Sequence, residues 1–327
     1  MNTERIEKDD GRLDLSLYMA EVVEGLKEDR RYPAVHTYNS TLRSFAKFAC
    51  GVMPVNEVFT PGRLKEYEDW LLGKRLSWNT VSTYMRTLQA VYNRLSPPGT
   101  PAHNPRLFDD VYTKVKSQTK RALTEEQTGR LMGADLDVLS KELRRAQAYF
   151  LLMFLFRGMP FIDLAHLRKK DVKDGKIVYR RHKTGKQITL RIPREALPLL
   201  KEYKDKDEAS LYLFPILNAA PKGEAALYEC YQKALRAFNK KLGVLGQRLL
   251  PGVKLSSYTA RHTWATLAYH TGMPVGIICQ ALGHSSIRVT ETYLKPFENE
   301  RVDKANRKLI SSVRKSKWGN GETYNAL

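Results

Sequence analysis

A mainly α-helical protein of two domains with one small antiparallel β-sheet is predicted by three features of this chain. Apolar residues recur at helical spacing through most of its 327 residues, a proline-rich stretch divides it, and a single segment alternates as strands do. Residues 13–30 and 33–51 read as the first two amphipathic helices, the second ending at Gly51 as a glycine C-cap. The third takes Thr60 as N-cap and Pro61 in its first helical position, and has Gly73 near its end. The fourth, 78–95, aligns Val81, Met85, Leu88, Tyr92 and Leu95 on one stripe. These four helices form a bundle over 13–95, preceded by an extension, 1–12. Residues 96–105, SPPGTPAHNP, hold four prolines and open a linker over 96–120. A second domain, 121–297, begins at LTEEQ, where Thr124 and Gln127 have the capping-box spacing. Within it, residues 171–193 alternate and carry turn signals at Asp174-Gly175 and Thr184-Gly185, which reads as about three antiparallel strands. The tail, 298–327, is basic and then polar, a helix with a loose end.

Lys and Arg exceed Asp and Glu by 20, and the excess is lopsided: residues 1–110 hold 15 of each sign, the rest 40 basic and 20 acidic. Such an excess points to a polyanionic partner, because each phosphate neutralised by Lys or Arg releases condensed counterions. Nucleic acid fits better than a membrane surface, since the cations are dispersed through folded sequence rather than lining one amphipathic helix. The longest apolar run, YFLLMFLF at 149–156, is far short of the roughly 20 residues that cross a bilayer, and the charged N-terminus is no signal peptide. The expected location is the cytoplasm. Cys50, Cys230 and Cys279 have no CxxC or CxxH spacing; they read as small core residues, and no metal is expected.

The chemistry is concentrated in YTARHTWATLAYHTGMPVGIICQALGHSSIRVTETYLKPF, residues 258–297. Arg261-His262, Leu282-Gly283-His284 and then Tyr293, nine residues after His284, follow one another there. This stretch resembles the tyrosine recombinase (phage integrase) family, whose second half carries H-x-x-R-H, then L-G-H, then a nucleophilic tyrosine at that spacing. The resemblance continues upstream through Asp163-Leu164-x-x-Leu167 of the first catalytic box, the Lys183-Thr184-Gly185 turn and the N-terminal helices, and covers nearly the whole chain from about residue 13. It implies a SAM-like four-helix core-binding domain followed by an α+β catalytic domain, closing together around duplex DNA. It also implies a homotetramer in the synaptic complex, a monomer or weak oligomer off DNA, and no cofactor or ATP.

Breaking a DNA strand in this way needs a nucleophile that becomes a covalent carrier, cations for the phosphorane oxygens and an acid for the departing 5′-hydroxyl. By resemblance Tyr293 is the nucleophile, Arg261 the bidentate grip on non-bridging oxygens, and His284 a donor to the phosphate or an orienter of Tyr293. Lys183, with Lys186 as competitor, is the general acid, and Asp163 supports the site by orienting its histidine or arginine neighbours. Two positions depart from the family pattern. Tyr258 stands where a histidine is usual, and a phenol there serves as hydrogen-bond donor rather than base. His262 then reads as structural. Pro160 stands where the first catalytic arginine belongs, which marks a branch with a non-standard first box. Arg157 lies three residues earlier, about 4.5 Å along the axis if the segment is helical, and is either the replacement clamp or a helix-end surface residue.

Further phosphate contacts are expected from Arg43, Lys47 and Arg86, with Thr80, Ser82 and Arg94, in the bundle. Around the sheet they are expected from Arg168, Lys169, Lys170, Arg180, Arg181 and Arg191. The short stretch before Leu13 favours a simple-site DNA invertase or mobile-element integrase over an arm-binding integrase. Two other readings stay open: a catalytically impaired DNA-binding accessory protein, motivated by Pro160 and Tyr258, and a type IB topoisomerase, which shares the chemistry but does not exchange strands.

Overall fold

The computed structural model describes residues 13–114, 121–134, 139–217, 223–297 and 299–318. The N-terminal extension, most of the basic stretch that ends the linker, and the loose end of the tail lie outside them. The chain divides into two compact units, one of Met1–Gln118 with Lys222–Tyr228 and one of Thr119–Pro221 with Glu229–Leu327.

In the first unit α1 (Leu15–Glu28), α2 (Tyr32–Ala49), α4 (Pro61–Gly73) and α5 (Trp78–Leu95) are the four expected helices, and a one-turn α3 (Val55–Val58) joins them. Four residues are too few to reveal a period, so α3 left no sequence signal. Asp14 caps α1 by accepting from the Ser16 N–H at 2.7 Å, and its other oxygen accepts from the Met53 N–H at 2.8 Å, which ties the chain before α3 to the start of α1. Phe45, Leu64, Tyr67, Leu71, Met85 and Leu88 are fully buried around the α2–α4–α5 contact. Two expectations fail here. The left-handed residue ending α2 is Cys50 (φ 53°), one position before Gly51. Ser82 faces the core rather than solvent.

The second unit contains α6 (Glu125–Met132), opened by the expected capping box, then α7 (Lys141–Leu155) and α8 (Phe161–His166). The sheet follows as β1 (Val172–Lys173), β2 (Lys176–Arg180) and β3 (Gln187–Arg191), antiparallel in the order β1-β2-β3. Asp174 and Gly175 both have positive φ, as a two-residue hairpin between twisted strands requires. Ile177 and Tyr179 of β2, opposite Leu190 and Ile188 of β3, face the core while their neighbours face out. The other elements are helices: α9 (Ala196–Tyr203), α10 (Glu224–Leu249), whose first turn belongs to the first unit, α11 (Ser257–His270), α12 (Val275–Leu282), α13 (Ile287–Glu291) and α14 (Asn299–Trp318).

Helix α11 is the buried spine of this unit. Small residues, Ala260 and Ala265, let neighbours approach it, and its buried threonines are paired: Thr263 Oγ1 donates to the Thr259 carbonyl and accepts from the Leu123 N–H at 3.0 Å. Of the three cysteines read as core, Cys50 is exposed and Cys230 and Cys279 are half-buried. No helix is long and apolar enough to cross a membrane among the described residues.

Gly246 in α10 gives the packing a direct test. A Cβ there would lie 2.7 Å from the Val253 carbonyl oxygen and 3.3 Å from Leu255 Cγ. Alanine gains about 1 kcal/mol of helix propensity, but overpacking against backbone costs about 1–3 kcal/mol. Gly246→Ala is therefore expected to lower the denaturation midpoint in urea with an unchanged slope.

Candidate active site

The site is assembled at the C-terminal end of α12. That helix stops at Gly283, which is left-handed at φ 65°; a Cβ there would sit 2.8 Å from Ile188 Cδ1 and 3.2 Å from Arg181 Cγ, so glycine is required for close packing as well as for the turn. The reversal leaves the Leu282 carbonyl outside the helical ladder, carrying the partial negative charge of a helix C-terminus. Arg261, projecting from α11 and only 4% exposed, donates to this oxygen at 2.7 Å and to the Gly158 carbonyl at 2.8 Å. Arg181, immediately after β2 and 6% exposed, donates to the same Leu282 oxygen.

Gly158 explains the FRGMP segment. After α7 the chain does not continue as a helix: Arg157 (φ 58°) and Gly158 (φ 67°) are both left-handed, and Pro160 caps α8. A Cβ on Gly158 would lie 3.1 Å from Arg261 Cα, so the glycine both admits Arg261 and offers it an acceptor. The helical geometry on which the Arg157 expectation rested is absent. The Arg157 side chain is half-buried and reaches the Thr189 carbonyl of β3 at 3.5 Å, a weak contact.

His284 is fixed in both position and tautomer. Its Nε2 is 2.8 Å from an Arg261 terminal nitrogen, and a guanidinium can only donate, so Nε2 accepts. Nδ1 then carries the proton and donates to Thr290 Oγ1 at 2.9 Å. Burial, with Arg261, Arg181 and Lys183 nearby, pulls the imidazole pKa down to about 3, so the ring is neutral. Burial also lowers the Arg261 guanidinium, and Arg181 adds to the effect.

Tyr293 lies in the turn after α13, its ring 5.0 Å from the His284 ring and 4.6 Å from His262, with the Arg261 guanidinium carbon 5.5 Å from its centre. Its backbone carbonyl accepts from Thr266 Oγ1 at 3.1 Å, which anchors it to α11 of the same chain. The Tyr293 side chain neighbours Tyr258 and Arg261 and acts on the protonation of both. Tyr258 is more than half exposed as a residue, yet burial at its hydroxyl end, and then Tyr293, push its pKa up, so it stays a phenol.

Asp163 in α8 is buried. One oxygen accepts from the His182 N–H at 2.9 Å, and the other lies 3.0 Å from Arg181 Nε without hydrogen-bond alignment, an ion pair held by charge. Burial pushes the carboxyl pKa up, while the His182 N–H, Arg181 and Arg261 oppose that rise. Lys183 and Lys186 are exposed on the β2–β3 hairpin, where the Arg181 N–H bonds the Lys186 carbonyl at 2.8 Å.

Among the expected phosphate contacts, Arg43, Lys47, Arg86, Arg168 and Arg180 are exposed, and Lys169 is half-buried with its ammonium on the Asp207 carbonyl. Arg181 is not a surface residue. Sequence reading missed this, although period two along Ile177, Tyr179 and Arg181 carries the signal: all three share the inward face.

Residues 121–300 match the model of the phage integrase family, and residues 14–94 match that of the phage integrase SAM-like domain. A tyrosine recombinase of Thermosipho africanus is 24% identical over 68% of this chain and 74% of its own length. Tyrosine recombinase XerA of Pyrococcus furiosus is 26% identical over 59% and 64%. In fold, the Tn1549 transposon integrase (residues 82–397), solved with circular intermediate DNA, superposes with a TM-score of 0.62 at 16% identity, covering 91% of this chain and all of that one. A lambda integrase tetramer on a Holliday junction superposes with a TM-score of 0.57 at 14% identity, covering 88% and 78%.

The depressed His284 pKa carries a pH prediction. Between its ordinary value near 6.5 and about 3 the unfolded chain binds a proton that the folded chain does not, so its contribution to stability is complete above about 6.5 and is lost as pH falls. Thermal melts from pH 7 to pH 4 are expected to show a falling Tm, with a shallower fall in His284→Asn. An equally steep fall in that variant would mean that His284 titrates normally.

Proposed function

Because the chain belongs to the phage integrase family of tyrosine recombinases, we propose that it cleaves and rejoins double-stranded DNA at specific sites through a 3′-phosphotyrosine. One observation carries this reading: the Tyr293 ring packs on His284 and His262 beside the Arg261 guanidinium, within one chain. In the proposed step Tyr293 Oη attacks the scissile phosphorus in line, forming the tyrosyl–phosphorus bond as the bond to the 5′ oxygen breaks. The phenol proton leaves to solvent, and Lys183 protonates the departing 5′ oxygen. Attack by a 5′-hydroxyl of another strand reverses these events, so the phosphodiester energy is conserved and no ATP is consumed. Arg261 holds the non-bridging oxygens with its planar fork. Neutral His284 holds Arg261 and orients Tyr293, Tyr258 donates one further hydrogen bond, and Asp163 holds the β2–β3 hairpin that carries Lys183.

Arg43, Lys47 and Arg86 in a core-binding domain of residues 13–95, and Arg168, Lys169 and Arg180 in a catalytic domain of residues 121–297, grip the DNA backbone, with residues 96–120 as linker. The active assembly is a homotetramer on DNA in the cytoplasm. Helix α14 supports this: Val302, Leu309 and Ile310 are at least half exposed at helical spacing, an apolar face suited to a second copy. Its biological task is that of a simple-site invertase or mobile-element integrase, and a search for inverted repeats beside the gene identifies the substrate.

A nicked suicide duplex carrying those repeats tests the chemistry. A covalent protein–DNA adduct, abolished in Tyr293→Phe, is the expected result; DNA binding with no adduct would instead identify an accessory protein. Recombination of two sites, rather than relaxation alone, separates the enzyme from a topoisomerase. Leu309→Asp with Ile310→Asp is expected to leave adduct formation within a few-fold while abolishing the tetrameric complex in sedimentation on DNA.

A further inference from the structure

The geometry points to Arg181 as the second phosphate-gripping guanidinium of the active site, supplied by the sheet in place of the arginine that Pro160 excludes. The inference rests on the strand-transfer reading above. Arg181 shares the Leu282 carbonyl with Arg261, so both guanidinium groups converge on one oxygen beside His284. Its only side-chain hydrogen bond among the described residues runs to that carbonyl, and its buried Nε, beside Asp163, has no aligned acceptor. Two buried guanidinium groups therefore face one carboxylate, with His284 neutral, and one positive charge is left for an anion. A phosphodiester carries a single negative charge and presents two non-bridging oxygens, which two planar forks suit.

Arg157 does not meet these conditions. Its left-handed backbone takes it out of α7, and a terminal nitrogen of its side chain is 3.5 Å from the Thr189 carbonyl of β3. Position 181 meets them through strand parity. Ile177 and Tyr179 face inward, the hairpin bond from the Arg181 N–H to the Lys186 carbonyl preserves the register, and the third inward residue arrives at the end of α12.

The test uses the full-length protein and the suicide duplex. Arg181→Ala is expected to slow adduct formation by about 100-fold or more, the scale for losing one preorganised donor. The loss should exceed that of Arg157→Ala by at least about tenfold, with DNA affinity by gel shift changed only a few-fold. Arg181→Lys keeps a cation beside Asp163, so it guards against loss of fold; it is expected to retain the parent Tm within a few degrees yet cleave at least about tenfold slower, because an ammonium lacks the fork.

A second substrate separates gripping from mere support. With a methyl group replacing one non-bridging oxygen, the scissile phosphate is uncharged, and the ratio of parent to Arg181→Ala rates should collapse toward one. A ratio that stays near 100-fold would make Arg181 structural and overturn the proposal. So would a larger loss in Arg157→Ala than in Arg181→Ala. Absence of an adduct from the parent on its own flanking repeats would defeat the strand-transfer reading itself, whereas full activity in Arg181→Ala would defeat only this inference.

Discussion

The carbonyl of Leu282 is the point on which the active site is organised. Two guanidinium groups, from α11 and from the end of β2, donate to it while both are buried. Two unit charges that share one acceptor oxygen repel by a few kcal/mol at an effective dielectric of about 20. Against this stand charge-assisted hydrogen bonds of about 1.5–3 kcal/mol each, the partial negative charge at the end of α12, and the Asp163 carboxylate. These terms are of similar size. The pair is held, but its charge is only partly answered, and a bound anion would relieve what remains.

Around that carbonyl the backbone has been shaped to acceptors rather than donors. Arg157 and Gly158 adopt consecutive left-handed conformations, an arrangement that is costly for arginine. The result is a carbonyl from Gly158 aimed at Arg261 across a contact that excludes any Cβ. The Arg157-Gly158 turn thus serves as a buttress for Arg261. His284 continues the same logic: its neutral Nε2 accepts from Arg261, and its proton is directed away to Thr290, which is fully buried. Tyr293 is then packed against the faces of two imidazoles, so its placement is set by those rings and by the Thr266 hydroxyl on its backbone carbonyl.

Much of this was legible in the sequence. Helix spacing, the Thr124 capping box and the Asp174-Gly175 turn located their elements because each depends on local geometry. The order Arg261, His284, Tyr293 marked the site, since all three lie within one run of thirty-three residues. Misreadings arose where local signals were weak or ambiguous. Glycine preference points to Gly51 as the left-handed residue where the chain uses Cys50, and a one-turn helix has no period to display. Arginine is seldom buried, which favours a surface position for Arg181, whereas strand alternation places it inward.

By itself the sequence determined which residue types could do phosphoryl chemistry and which elements would carry them, because periodicity, capping and turn preference act over a few residues. Only the tertiary structure decided which cations meet. Arg181 and Arg261 are 80 positions apart in sequence, and their convergence requires a strand register and a helix end to arrive at the same oxygen. Arg157 leaves the end of α7 through two consecutive left-handed residues, a turn that helical spacing along the sequence does not foretell. Proximity along the chain is fixed by covalent bonds. Proximity in the site is set by packing, and packing placed the second guanidinium on the sheet.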